Sequence, residues 1–369
     1  MNKNKYDLDT PCLVLDMDIL DANLHKMQSS ASQVGKNLRP HSKTHKCSAL
    51  ARRQIEAGAK GVCAAKVSEA AALVRAGIDQ ILITGPVATP QKVSRLVDLL
   101  VESPSLMTVV DHRESVDLLV AALRERRLRM DVLLDLDAGL KRTGVKPAQA
   151  LELARFILSQ PELRLVGIQS YAGQVQHIPD YAARQSASLT CLQQPAAVFR
   201  ELQAIADSCH IFSASGTGTF DIDVAVPELT ELQVGSYVCM DAEYLAVGSA
   251  ERPGQFAAFE PALRLLSSVV SRNQSGFVTV DAGLKALYRD GAVPQIIGPK
   301  NSGLVYEWFG DEYGRVICPA DQDLPKLGTV LELVTSHCDP TINLFDRFYL
   351  TRGFDVVGEW QIDLRGCSQ

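Results

Sequence analysis

The chain has 369 residues, 46% of them apolar, and a formal net charge of −6 with acids and bases interspersed. That length fits one large α/β barrel plus a second, smaller domain, and the composition is that of a globular protein with a full-sized core. No basic stripe points to nucleic acid, and no run reaches the roughly 18 apolar residues of a membrane span. The first twenty residues lack the apolar stretch of a signal peptide, so a cytoplasmic protein is expected.

In chain order, residues 12–15 read as a strand ahead of the main domain, and residues 1–20 are expected to join a β-domain formed by the C-terminal part. From 21 to 245, short Val/Ile/Leu runs at 38–41, 61–64, 80–84, 106–110, 131–135, 165–169, 210–213 and 231–234 alternate with longer segments. Helical spacing is clearest at 68–76, opened by Ser68 and closed by Gly77, and at 91–101, 113–124 and 148–159. Eight such alternations predict parallel strands joined by helices, closing as a (β/α)8 barrel. Beyond 245 the helical spacing fades. Short runs at 263–270, 276–281, 303–309, 329–334, 347–351 and 356–361, separated by turn residues, predict an antiparallel β-domain over 246–369. Nine scattered cysteines without a C-x-x-C pair read as reduced thiols.

Four clusters carry candidate chemistry. Arg39-Pro40-His41-Ser42-Lys43-Thr44-His45-Lys46 follows the first barrel strand, at the end where such barrels gather catalytic groups. A lysine there, partly desolvated among cations, can present a neutral amine to an aldehyde; a basic surface loop has the same composition. In the loop after the fifth strand, Gly139 and Gly144 allow a tight path and Arg142 offers a fixed cation, or only a solvated one. Ser215-Gly216-Thr217-Gly218-Thr219 can cradle a phosphate on backbone N–H groups, or simply turn the chain. Near the C-terminus, a strand through 335–339 would point His337 and Asp339 to one face and Cys338 to the other. That pair is half a metal shell, or a His–Asp hydrogen bond.

Together these clusters resemble the D-threonine aldolase and D-serine dehydratase group of the alanine-racemase-like (fold-type III) pyridoxal-phosphate enzymes. The resemblance runs from Leu8-Asp9-Thr10-Pro11 to Leu364-Arg365-Gly366. The family's P-H-x-K-x-H-K is residues 40–46, which makes Lys43 the residue expected to hold the cofactor. Its Gly and Glu-Ala after the second strand are matched by Gly61 and Glu69-Ala70. Its R-x-G-V is Arg142-Thr143-Gly144-Val145, implying that Arg142 meets the phenolic oxygen, and its G-x-Q-x-Y-x-G places Gln169 and Tyr171 beside the ring. The phosphate is expected at Ser215, Gly216, Thr217, Gly218 and Thr219, with Gly235, Ser236 and Tyr237. Gln233 stands where alanine racemases place an arginine on the ring nitrogen.

The resemblance also implies a divalent metal at His337 and Asp339. The aldolases carry H-x-D and the dehydratases H-x-C; a carboxylate in place of a thiolate favours Mn²⁺ or Mg²⁺ and leaves Zn²⁺ open. The implied activity is cleavage of the Cα–Cβ bond of a small β-hydroxy D-amino acid, with His177 as the base and a homodimer as the assembly. A dehydratase yielding a 2-oxo acid and ammonia is the alternative. One departure stands out: Asp311-Glu312-Tyr313-Gly314 replaces the usual D-E-H-G, and tyrosine cannot do a histidine's work on a metal or proton near neutrality.

Overall fold

A computed structural model describes residues 3–298, 301 and 303–369. The chain divides into two compact units: one of residues 26–43, 50–235 and 366–369, the other of residues 3–25, 44–49 and 236–365.

After β1 (Cys12–Asp16) and α1 (Met17–Gln33), the first unit builds a ring of parallel strands. These are β2 (Asn37–Leu38), β3 (Val62–Ala64), β4 (Ile81–Ile83), β5 (Met107–Val110), β6 (Met130–Asp135), β7 (Leu163–Ser170), β8 (Ile211–Ala214) and β9 (Glu231–Leu232). Their order is β2-β9-β8-β7-β6-β5-β4-β3, and a parallel bridge between His41 and Cys63 joins the two ends. At that bridge Ser42 N–H donates to Cys63 O at 2.9 Å and Cys63 N–H to Pro40 O at 2.8 Å. The strands are mostly apolar, as in the fully buried Val62–Ala64 and Ile81–Ile83, because both faces are covered. Cys63, Leu82, Met107, Val109, Leu133, Val166 and Ile211, drawn from six successive strands, form one buried cluster. Helices α2 (Ser48–Glu56), α3 (Val67–Arg75), α4 (Pro90–Glu102), α5 (Arg113–Arg126), α6 (Pro147–Leu158), α7 (Tyr181–Ile205) and α8 (Phe220–Asp223) follow the successive strands. In α4, Pro90 sits in the first turn, where no N–H is needed, and Val93, Leu96, Val97 and Leu100 form the buried stripe. The predicted (β/α)8 barrel is therefore present, with strand ends displaced by a few residues at most.

In the second unit β1 is central. It pairs antiparallel with β10 (Leu263–Ser271) and parallel with β16 (Arg347–Arg352), so the first strand of the chain does lie in the C-terminal sheet. The sheet also contains β11 (Phe277–Val280), β12 (Gln295–Ile297), β13 (Val305–Trp308), β14 (Gly314–Ile317), β15 (Val330–Val334) and β17 (Asp355–Gln361). Among the described residues every strand pairing in it except β1–β16 is antiparallel. Two short helices, α9 (Ala242–Leu245) and α10 (Cys338–Ile342), complete it. Helix α10 corrects an expectation: β15 stops at Val334, so residues 335–339 do not prolong the strand. Pro340 has no N–H to give a ladder, but it is tolerated in the first turn of a helix. Among the described residues no helix is long and apolar enough to cross a membrane, and all nine cysteines are outside any disulfide.

Candidate active site

All eight barrel strands run in one direction, so the segments that follow them emerge at one rim. Lys43 lies in the turn after β2 and is half-buried. Three contacts hold that turn. Ser42 Oγ donates to Cys63 O at 2.7 Å, His41 Nε2 shares a hydrogen bond with Thr84 Oγ1 at 3.0 Å, and Lys43 N–H reaches His41 Nδ1 at 3.4 Å. One strand turn earlier, Arg39 forks onto Glu231 of β9 at 2.8 and 3.2 Å, both side chains almost fully buried. Burial opposes the arginine's charge, but Glu231 outweighs it and keeps the guanidinium ionised.

Between β6 and β9 a hydrogen-bonded chain crosses the rim. Gln169 Nε2 donates to Thr84 O at 3.0 Å and to Asp135 Oδ1 at 2.9 Å, which uses both of its hydrogens. Its Oε1 then accepts from Gln233 Nε2 at 3.0 Å, while the other Gln233 hydrogen goes to Ser213 Oγ at 2.9 Å. The Thr84 carbonyl can only accept, so neither amide can flip. Gln233 is left with its acceptor oxygen. Thr143 Oγ1 donates to Asp135 Oδ2 at 2.9 Å. Burial pushes the Asp135 carboxyl up to about 6, against the pull of the Gln169 and Thr143 hydrogen bonds, with Asp111 adding to the rise and Arg142 opposing it. Asp135, Arg142, Gln169 and Tyr171 line one small cavity, and the exposed Arg142 guanidinium lies 5.8 Å from the centre of the Tyr171 ring. The R-x-G-V loop needs its glycine. Gly144 has φ +97°, and a Cβ there would sit 2.5 Å from the Asp137 backbone nitrogen. Its N–H donates to Asp111 Oδ2 at 3.0 Å.

The loop 215–219 after β8 is buried throughout. It is braced by residues that the sequence reading did not single out. Gln176 Oε1 accepts from Gly218 N–H at 3.0 Å, and its Nε2 donates to Thr219 Oγ1 at 3.0 Å. Thr219 passes its own hydrogen to Asp223 Oδ2 at 2.5 Å, and Ser188 donates to Asp223 Oδ1 at 2.6 Å. The fully buried Arg184 donates to Gly218 O at 2.8 Å. Burial raises the Asp223 carboxyl, and the hydroxyls bonded to it pull it back. The Thr219 hydroxyl thus serves the loop's own frame, and Ser215 also hydrogen-bonds to Asp223. His177, next to Gln176, is half-buried, with its Nε2 shielded from water.

These residues fit the pyridoxal phosphate that the motifs imply. A lysine and an oxyanion loop flank β9 on one rim, and the loop is a cradle in which a Cβ on Gly216 or Gly218 would lie 2.5 or 2.1 Å from Gln176 atoms. Gly235 ends the first unit. Ser236 and Tyr237 belong to the second, in the turn Ser236–Val238, where the buried Tyr237 ring packs edge-on against Phe259 at 5.6 Å.

In the second unit His337 stands at the N-cap of α10 and Asp339 in its first turn, so the two come together by a helix start and not by strand alternation. His337 Nε2 lies 4.0 Å from Asp339 Oδ1. Its Nδ1 lies 3.2 Å from Asp290 Oδ2, a partner that turns the Nε2 lone pair outward when Nδ1 carries the proton. Asp241 accepts from Cys338 N–H at 2.9 Å and from Tyr244 N–H at 3.0 Å, which fixes the helix start; burial raises its carboxyl. Cys338 is completely buried. Among the described residues no three His, Cys, Asp or Glu groups converge as a complete metal cage. The His337–Asp339 pair fits a cation that keeps positions for water or substrate oxygen. Tyr313, in place of the expected histidine, is half exposed.

Comparison with known proteins adds a family to this geometry. Residues 15–243 match the alanine racemase N-terminal domain, and residues 262–351 match a serine dehydratase domain. The chain is 37% identical over 366 residues to D-threonine aldolase of an Arthrobacter species, covering 98% of this chain and 94% of that protein. It is 34% identical over 368 residues to 3-hydroxy-D-aspartate aldolase of Paracoccus denitrificans, with the same coverage of 98% and 94%. The crystal structure of D-threonine aldolase from Filomicrobium marinum superimposes with a TM-score of 0.94 at 35% identity, over 100% of this chain and 98% of that one. Barrel and sheet together define an alanine-racemase-like, fold-type III pyridoxal-phosphate enzyme. Within that class, the chain belongs to the D-threonine and 3-hydroxy-D-aspartate aldolase group of lyases.

Proposed function

We propose that the protein is a pyridoxal-phosphate- and divalent-metal-dependent aldolase that cleaves Cα–Cβ of a β-hydroxy D-amino acid of the D-threonine or 3-hydroxy-D-aspartate type. The full-length match to D-threonine aldolase carries this reading. Asp339 supports it over dehydration, because a carboxylate beside His337 is the aldolase form of the pair. Lys43 Nζ holds the cofactor aldehyde, and residues 215–219 with Gly235, Ser236 and Tyr237 hold its phosphate. Arg142, Gln169 and Tyr171 would orient the ring, and the chemistry the cofactor would supply there is an electron sink for Cα. His337 and Asp339 would hold Mn²⁺ or Mg²⁺ in preference to Zn²⁺, and such a cation would supply Lewis acidity at the β-hydroxyl. His177 takes the hydroxyl proton. The Cα–Cβ bond then breaks, the β-carbon becomes a carbonyl, and a proton returned to Cα gives glycine plus an aldehyde. The barrel carries the cofactor, and the β-domain carries the metal pair. A cytoplasmic homodimer acting on free amino acids, with no nucleic-acid or membrane partner, completes the proposal.

The test is to strip metal with EDTA and supply D-threonine, 3-hydroxy-D-aspartate and D-serine with and without Mn²⁺. Glycine with acetaldehyde or glyoxylate, in the metal-restored sample alone, is the expected product pattern. A 2-oxo acid with ammonia and no glycine overturns it. Borohydride reduction of the cofactor-loaded protein should fix the label on Lys43.

A further inference from the structure

We propose that Gln176 is a positioning residue that couples oxyanion binding at loop 215–219 to the placement of His177. The inference rests on the reading of that loop as the phosphate site and adds a mechanical link between the two. Gln176 is almost fully buried and makes three side-chain hydrogen bonds. Oε1 accepts from Gly218 N–H at 3.0 Å, while Nε2 donates to Thr219 Oγ1 at 3.0 Å and to Ala172 O at 3.3 Å. An N–H only donates and a carbonyl only accepts, so this amide has one orientation. Glutamate lacks the donors, and an apolar side chain lacks everything.

The backbone contact is as close as the side-chain one. A Cβ on Gly218 would lie 2.1 Å from the Gln176 carbonyl oxygen, so the loop rests directly on that peptide group. That carbonyl shares its planar unit with the N–H of His177. Even a small adjustment of this preformed loop to a bound anion therefore bears on the plane from which the imidazole departs. On the far side the loop cannot yield, because Thr219 is tied to Asp223 at 2.5 Å and Asp223 to Ser188 at 2.6 Å. On the near side the turn Gly173–Val175 leads from Tyr171 to Gln176, and Gln176 N–H donates to Gly173 O at 3.3 Å. Gln176 thus bridges the loop and the segment holding both Tyr171 and His177 by side chain and backbone together, and Arg184 adds a side-chain link from Gly218 O at 2.8 Å to Ile178 O at 2.6 Å.

The experiment uses the full-length, cofactor-stripped protein with inorganic phosphate as the probe. Histidine-ring NMR, with His177 assigned through His177→Asn, follows the imidazole, and calorimetry follows phosphate binding. Phosphate is expected to shift the His177 ring signals and to slow exchange of its backbone amide by about tenfold, the scale of a modest change in local opening. In Gln176→Met, phosphate should still bind more weakly while the His177 response disappears; in the cofactor-loaded enzyme the same variant should lower kcat more than it raises KM. Phosphate binding with no response at His177 in the wild-type chain, which needs no variant, overturns the coupling. An unchanged response in Gln176→Met overturns the role of Gln176. Failure of phosphate to bind at all is a different result: it removes the phosphate-site reading itself.

Discussion

The loop 215–219, proposed as the phosphate cradle, and the His337–Asp339 turn, proposed as the metal pair, are built by different means. The loop is buried along its whole length and is tied by Gln176, Arg184, Asp223 and Ser188, so its backbone is already shaped when an anion arrives. The turn relies on Asp241 beneath and a largely exposed Asp290 beside it, and its two donors still stand 4.0 Å apart. A preformed cradle spends little of its binding energy on ordering, whereas an incomplete pair gains its last geometry from the ion and the substrate. The cofactor should therefore be retained through purification, and the metal should exchange.

The widest break in that comparison is Asp339→Ala. Loss of one of two protein donors should cut Mn²⁺-dependent activity by about 10³-fold, the scale of lost Lewis-acid stabilisation, with cofactor absorbance unchanged. Next comes Asp135, on the barrel side. Its folded carboxyl titrates near 6, above the ordinary 3.8, so the folded state holds a proton that the unfolded chain releases. Its contribution is present below about pH 4 and is lost as pH rises toward 6, by about 3 kcal/mol in order of magnitude. Asp135→Asn should flatten that part of the stability–pH curve in denaturant titrations. Asp223→Ala strands the hydroxyls of Ser188 and Thr219 in the interior and should cost about 2 kcal/mol of stability, with weaker phosphate binding. Asp290→Asn should loosen Mn²⁺ by about tenfold, the usual reach of a hydrogen bond behind a ligand, and leave cofactor binding alone. Tyr313→His is the mildest. At a half-exposed site it should move stability by less than about 0.5 kcal/mol, and any effect should appear as a changed KM among the three candidate substrates.

The barrel was legible because its strands are short apolar runs between helices with a clear buried stripe, as 91–101 shows against Pro90–Glu102. Helix α7 was not, because its inward face begins with Arg184 and Ser188, polar residues that hide the period. Those same two residues brace the anion loop, so what blurred the pattern belongs to the site. Residue type marks the His337–Asp339 pair in the sequence, but strand alternation gives it the wrong geometry. Asp-Pro after a histidine was the available sign of a helix start, and alternation from β15 was extended past it. Gln176, Asp223 and Asp290 reach Gly218, Ser188 and His337 across 42, 35 and 47 residues, distances that no local motif spans.

The ring closes where its strands are shortest. β2 pairs with β9 through Asn37–Glu231 and Leu38–Leu232, contacts between segments almost two hundred residues apart. Arg39 finds its carboxylate only on β9 as well. Contacts so distant in sequence are slow to form, so the strand that carries Lys43 gains its β9 neighbour only when more than half of the chain is present. If Lys43 holds the cofactor as proposed, fragments ending before Glu231 should have the lysine and still fail to capture an aldehyde, so that cofactor capture would report completion of the barrel.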